Sequence, residues 1–299
     1  MDFFSMANLE SAQLFAKEKY HKEKDGAHRM TNSTGRTRLY GANVRANSIR
    51  QHYLRYGGGS EALIVIPGIS NSAATWDFAS ERLGRTHDTY VLDLRGRGLS
   101  DAGPGLDYSL DTYAADVADF ARALGLQRYA VLGHSLGARI AARLASRHGG
   151  ALSRVVLADP PMSGPGRRPY VQTLAFFIDA IREAKAGNID FEALKKRYPK
   201  WTEDQMRTRA EWLHTCDETA IEKSYRGFSE EDIHGDLAAI RVPALLLAAG
   251  KGGVVLDEDI AEVKKLNPAI EIRRMDHVGH MMPWEDLDGF VAAMKGFVG

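Results

Sequence analysis

Short apolar runs recur along this chain with amphipathic stretches of about 10 to 15 residues between most of them, and that alternation limits the possible folds more than any other feature. The runs are ALIVIPG (62–68), TYVLDLRG (89–96), YAVLG (129–133), RVVLADPP (154–161), VPALLLAAG (242–250) and AIEIRR (269–274). Intervening stretches such as SLDTYAADVADFARALG (109–125) carry apolar residues at helical spacing. A right-handed crossover through each helix brings the chain back as a parallel neighbour, so one mainly parallel sheet with helices on both faces is expected. TRLYGANVRAN (37–47) and IRQHYLRYG (49–57) read as an opening hairpin, which makes eight strands.

The alternation lapses once. Residues 163–236 hold helical patterns such as YVQTLAFFIDAIREA (170–184) and EDQMRTRAEWLHTC (203–216) with no convincing strand. The expected organisation is therefore an α/β core over 37–162 and 237–299 with a helical cap inserted at 163–236. Residues 1–36 stand apart as an N-terminal extension: Leu9, Leu14 and Phe15 suit a weak amphipathic helix, and DGAHRMTNSTGR (25–36) reads as linker.

Composition excludes several classes of function. Lys plus Arg and Asp plus Glu both count 39, so neither nucleic-acid binding nor a polybasic membrane surface is expected. No apolar run approaches the ~20 residues of a membrane span, and the start lacks the long apolar centre of a secretory signal. Cys216 is the only cysteine, which rules out an intrachain disulfide and suits a reducing cytoplasm. Oligomeric state is left open.

The chemistry is concentrated in AVLGHSLGARIAARLA (130–145), where an apolar strand reverses into a helix through Gly133-His134-Ser135-Leu136-Gly137. So sharp a reversal forces its apex into a strained backbone region at a cost of ~1 to 3 kcal/mol. The flanking residues must lack bulk. The apex side chain then stands above the carboxyl end of the sheet, with a helix N-terminus behind it, as a nucleophile requires. A serine needs a base. His280, in the loop between the last strand and the last helix, returns over the same edge, with His277 its nearest competitor; His134 reads as a packing residue. Asp159, at a strand end, can reach that imidazole, and Asp257, Glu258 and Asp259 are alternatives that read as the acidic first turn of a helix. Oxyanion donors are expected at Leu136 N–H and, from the loop Gly68 opens, at Ile69 N–H.

VLGHSLG (131–137), LDLRGRGLSD (92–101) and GHMMPWED (279–286) together resemble the α/β-hydrolase superfamily over roughly residues 40–299. IRQHYLRYGG (49–58), DPPMSGPGRR (159–168), RAEWLHTC (209–216) and GHMMPWEDLDGF (279–290) resemble, more closely, the N-formylmaleamate deformylase family. In the superfamily the acid commonly follows the strand after the cap, where this chain has Gly253. In the deformylase family it follows the sixth strand, which implies Asp159. The resemblance implies a serine amidohydrolase of nicotinate and hydroxypyridine catabolism that needs no metal or organic cofactor and takes a small anionic substrate. Arg167 or Arg168 is then expected to hold the substrate carboxylate, with Arg139, Arg226 and Lys251 as fallbacks, and Trp212 and His214 to line the pocket. Rival readings are a carboxylesterase, a carbon–carbon hydrolase of aromatic degradation, and a non-catalytic binding protein of the same fold. Dehalogenases and epoxide hydrolases would need an aspartate where Ser135 stands.

Overall fold

The apolar runs become strands because helices cover them on both faces, and a strand buried on both faces has no polar side to alternate with. A computed structural model describes residues 37–298, and the extension expected over 1–36 lies outside them. The strands are β1 (Arg38–Ala46), β2 (Ile49–Tyr56), β3 (Ala62–Ile66), β4 (Asp88–Leu92), β5 (Tyr129–His134), β6 (Leu152–Ala158), β7 (Ala244–Ala249) and β8 (Glu271–Met275). They form one sheet in the order β1-β2-β4-β3-β5-β6-β7-β8. The β1–β2 and β2–β4 pairs are antiparallel, and the other pairs are parallel. Successive residues of a strand feed opposite cores. Ile64, Ile66, Val131, Val155 and Leu157 belong to one, and Leu63, Val65, Ala130, Leu132 and Val156 to the other.

From β3 the chain moves to one side to make β4 and then crosses to the other side to make β5. The carboxyl ends of β3 and β5 are thus the point where successive connections diverge, and a crevice opens there in sheets of this kind.

The covering helices are α1 (Asp77–Leu83), α2 (Leu110–Ala123) and α3 (Leu136–Arg147). Ser109 caps α2 by accepting from Thr112 N, and Leu110, Tyr113, Val117 and Phe120 make its buried stripe. Truncating Phe120 to Ala would cost ~3 to 5 kcal/mol.

Between β6 and β7 lie α4 (Leu174–Lys185), α5 (Phe191–Arg197), α6 (Glu203–Leu213) and α7 (Glu218–Glu230), followed by α8 (His234–Ala239). The first four pack on one another. α8 instead packs on α3 and on α9 (Asp257–Leu266), so the helix spanning the expected 236/237 boundary lies with the sheet's own helices. The two ends of the insertion meet on Arg139 of α3, whose guanidinium donates to the carbonyls of Pro161, Ser163, Gly227 and Glu231. The last helix expected after His280 is two: α10 (Met282–Glu285) and α11 (Leu287–Met294). They part at Asp286, whose extended backbone (φ −157°) lets its carboxylate cap α11 through Gly289 N. Among the described residues no helix is long and apolar enough to cross a membrane.

Candidate active site

The turn from β5 into α3 is as tight as its glycines suggest. A Cβ on Gly133 would stand 2.1 Å from Gly137 O, and one on Gly137 would stand 2.0 Å from Ile66 O. Backbone approaches this close leave no room for a side chain. Ser135 at the apex has φ 56° and ψ −121°, a region an L-residue occupies only when its surroundings compel it. The compulsion comes from Ser135 N bonding to Ala158 O at 2.9 Å on the neighbouring strand, while Ser135 O receives Ala138 N.

Two further strand ends meet it. His280 Nε2 lies 3.0 Å from Ser135 Oγ, and His280 Nδ1 lies 2.7 Å from Asp159 Oδ2. Asp159 follows β6, is fully buried and also has a positive φ of 47°. Its backbone N–H donates to Leu247 O, and its Oδ1 accepts from Ala249 N at 3.1 Å, so β7 fixes both ends of the residue. With Asp159 accepting at Nδ1, the neutral imidazole presents a bare Nε2 to the serine hydroxyl.

His134 supports this arrangement from below. Its Nε2 donates to His280 O at 2.8 Å, and the two rings lie 4.9 Å apart. Burial, reinforced by the neighbouring His280, pushes the His134 pKa down to about 3. It stays neutral and does not oppose a positive charge on His280.

The alternatives are engaged elsewhere. His277 bonds Asp286 at 2.5 Å on the surface. Asp257 pairs with Arg274, Asp259 with Arg168, and Glu258 is exposed. Gly253 sits at φ 66° in the left-handed region that glycine enters without strain, and it carries no carboxylate to offer His280.

Ser135 opens into a cavity of about 500 Å³ between the sheet edge and the inserted helices. The loop after β3 forms one side and comes so close that a Cβ on Gly68 would lie 3.3 Å from Ser135 Cβ. Fully buried Arg97 fastens this loop by donating Nε to Ile69 O at 2.9 Å. Ile69 N–H makes no bond to another backbone group among the described residues, and Leu136 N–H, as the first in α3, has no carbonyl one turn back in its helix. Ile69 lines the same cavity as Ser135, and Leu136 directly follows Ser135 in the chain.

The expected carboxylate partners are not at this cavity. Arg167 pairs with Glu262 through two bonds of 2.8 Å, and Arg168 pairs with Asp259 and Val254 O. Both are drawn back to the acidic face of α9. Trp212 instead lines a separate cavity of about 240 Å³ beside His52 and Asp93, and His214 is exposed at the end of α6. Of the fallbacks, Arg139 is taken up by its carbonyls, and Arg226 and Lys251 are exposed.

Among the described residues the cations that do line the Ser135 cavity are Arg197 and Arg209. A sequence signal existed for the second. Met206, Arg209, Ala210 and Leu213 are the buried stripe of α6 at helical spacing, so a guanidinium stands where an apolar residue belongs. Tyr170 also lines the cavity, its ring 6.4 Å from that of His280. Burial raises its phenol above the ordinary value against the opposing effect of the Ser135 hydroxyl, so it stays protonated.

The α/β-hydrolase fold family matches residues 61–287 of this chain. The chain is 53% identical over 262 residues to the N-formylmaleamate deformylase of Pseudomonas putida, across 88% of this chain and 97% of the relative. It is 27% identical over 236 residues to the 2-(acetamidomethylene)succinate hydrolase of Mesorhizobium japonicum, covering 73% and 81% of the two chains. Among solved structures, a serine-to-alanine variant of the N-formylmaleamic acid deformylase from Pseudomonas putida S16 matches with a TM-score of 0.82 at 44% identity, covering 86% of this chain and all of that one.

Proposed function

The chain belongs to the α/β-hydrolase family, and from that premise we propose that it is a serine amidohydrolase cleaving the N-formyl C–N bond of N-formylmaleamate to maleamate and formate. The observation that carries the substrate is the 53% identity to a deformylase across 97% of that relative's length. The hydrogen-bonded series Asp159, His280, Ser135 supports the reaction class.

In this mechanism Ser135 Oγ attacks the formyl carbon as His280 Nε2 takes the hydroxyl proton. Asp159 holds the imidazole in the required tautomer and stabilises the imidazolium that forms. The oxyanion develops between Ile69 N–H and Leu136 N–H, each worth ~3 to 4 kcal/mol of barrier. His280 passes its proton to the nitrogen as the C–N bond breaks, and maleamate leaves with the serine formylated. That nitrogen shares its lone pair with a second carbonyl, so the bond is weaker than in an ordinary peptide. Water then gives its proton to His280 and attacks the formyl ester, and the proton returns to Ser135 Oγ as formate departs. The helical cap covers the site, the substrate is a small anion, and the chemistry runs in the cytoplasm without metal or organic cofactor.

The test is a substrate panel on purified protein: N-formylmaleamate, with formate followed by a coupled dehydrogenase, against short esters and vinylogous diketones, with acid release followed by pH-stat. Preferential formate release from N-formylmaleamate is expected. Faster turnover of esters or diketones would move the enzyme to the rival hydrolases, and no labelling of Ser135 by a fluorophosphonate would move the protein to a binding role.

A further inference from the structure

Among the described residues five arginines are buried, and four of them are fully engaged. Arg95 meets Asp116 in a two-pronged pair and also donates to Asp107 O. Arg97 donates to Ile69 O, Arg95 O, Tyr113 and Ser224. Arg139 has its four carbonyls, and Arg143 pairs with Asp236 and Asp111. Arg209 is the exception. Among the described residues it is 8% exposed, has no carboxylate within ion-pair distance, and makes only long hydrogen bonds, to Ser70, 3.5 Å to the carbonyl and 3.3 Å to Oγ. A buried cation without a counter-charge is costly. Of the five it is also the one that lines the Ser135 cavity, and Ser70, which it touches, directly follows Ile69.

Among the described residues the rest of the lining offers no partner. Glu285, its one acid, is paired with Lys200 at 3.0 Å and accepts from Gly279 N. Arg197 is exposed and lies over the Phe176 ring at 4.4 Å. Water solvates an exposed guanidinium well, whereas a buried one gains most from an anion.

We propose that Arg209 is the specificity-determining residue that receives the carboxylate of the substrate, so that this cavity selects a short acyl chain bearing an anion at the end remote from the scissile bond. The proposal deepens the deformylase reading and rests on it for the identity of the anion. The planar fork suits two-pronged pairing with a carboxylate, and its position beside the oxyanion loop puts the anion on the same side of the cavity as Ile69. Binding at Arg209 thereby sets which carbonyl faces Ser135.

The experiment compares wild type with Arg209→Gln, Arg209→Lys, Arg197→Gln and Arg167→Gln, each checked by thermal melting. The first readout is the ratio of kcat/KM for N-formylmaleamate to kcat/KM for N-formyl-cis-crotonamide, in which a methyl group replaces the carboxylate. This ratio falls at least about 30-fold in Arg209→Gln, falls less in Arg209→Lys, and holds in Arg197→Gln and Arg167→Gln. An unchanged ratio in folded Arg209 variants, or a fall in Arg197→Gln instead, overturns the proposal. The second readout does not require turnover: protection of Ser135 from a fluorophosphonate by maleamate against cis-crotonamide. Maleamate protects wild type at lower concentration, and Arg209→Gln removes the difference. If wild type fails to cleave N-formylmaleamate yet shows this Arg209-dependent protection, the deformylase reading falls and the anion subsite stands. Equal protection by the two amides in wild type overturns the subsite.

Discussion

The floor of the cavity ties Ser135, His280 and Asp159 to one another and to β7 by contacts of 2.7 to 3.1 Å, whereas its roof holds Arg209 by contacts of 3.3 and 3.5 Å and leaves Arg197 resting on a phenyl face. The floor is assembled from strand ends, which the sheet's own hydrogen bonds hold in register. The roof comes from helices of an insertion that pack mainly on each other. A reaction that transfers a proton along a line of three residues needs the first kind of support, since misplacement by about 1 Å can cost ~10²-fold. Recognition of a substrate needs side chains whose best partner is still to arrive. The two surfaces divide bond breaking from selection.

The sharpest attempt to break this division is Ser135→Ala. Removing one oxygen from the floor lowers kcat by ~10⁶ while the circular dichroism spectrum and melting temperature hold; activity within tenfold of wild type would end the covalent mechanism. Asp159→Asn comes next, with a loss of ~10⁴ in kcat. Asp257→Asn, whose carboxylate faces Arg274 on the surface, stays within about twofold of wild type, because exposed pairs contribute little. The reverse pattern would return the acid to the strand after the insertion.

A third experiment asks whether the floor is rigid because it is dry. The His134 pKa, about 3 in the folded protein, lies below the ordinary value of about 6.5. The unfolded chain therefore takes up the proton first, and this residue's contribution to stability is full above pH 6.5 and drains away as the pH falls toward 3. Melting temperatures taken from pH 7 to 4.5 drop more steeply in wild type than in His134→Gln; parallel curves would mean that water reaches the ring. A last, modest effect belongs to the outer side of the roof. Arg168→Gln leaves buried Asp259 without its cation and costs ~1 to 2 kcal/mol, seen as a lower melting temperature, while kcat/KM for N-formylmaleamate stays within about threefold. A large, anion-selective loss there would reinstate Arg168 as the carboxylate partner.

The same division explains which residues could be read in advance. In a parallel sheet the end of every strand lies on one edge, so chain order alone brings Ser135, Asp159 and the loop of His280 to a common line. The pentapeptide around Ser135 and the strand-end address of Asp159 therefore carry three-dimensional information. Nothing comparable orders the insertion. Arg167 and Arg168 are conspicuous as a pair in a loop rich in glycine and proline, yet their partners, Glu262 and Asp259, lie more than 90 positions away on α9. Arg209 sits inside an ordinary helix between Arg207, which pairs with Glu203 at 2.5 Å, and exposed Glu211. Its only mark is its place on the apolar stripe of α6. Which cavity that stripe faces depends on how four helices stack, and periodicity does not report that.

Arg139 has a consequence for how such a protein diversifies. One guanidinium, rooted in the helix behind Ser135 and held down to about 10 in pKa by burial, gathers carbonyls from both ends of the insertion and lies over the Phe228 ring at 5.6 Å. Carbonyls belong to every residue type. Those four hydrogen bonds are thus indifferent to residue type, and the segment between Ser163 and Gly227 is free to accumulate substitutions, lengthen or be exchanged for another as long as the joint at its two ends is kept. Inheritance of the chemistry and invention of new substrate ranges can proceed on separate clocks, with Arg139 as the fitting common to both.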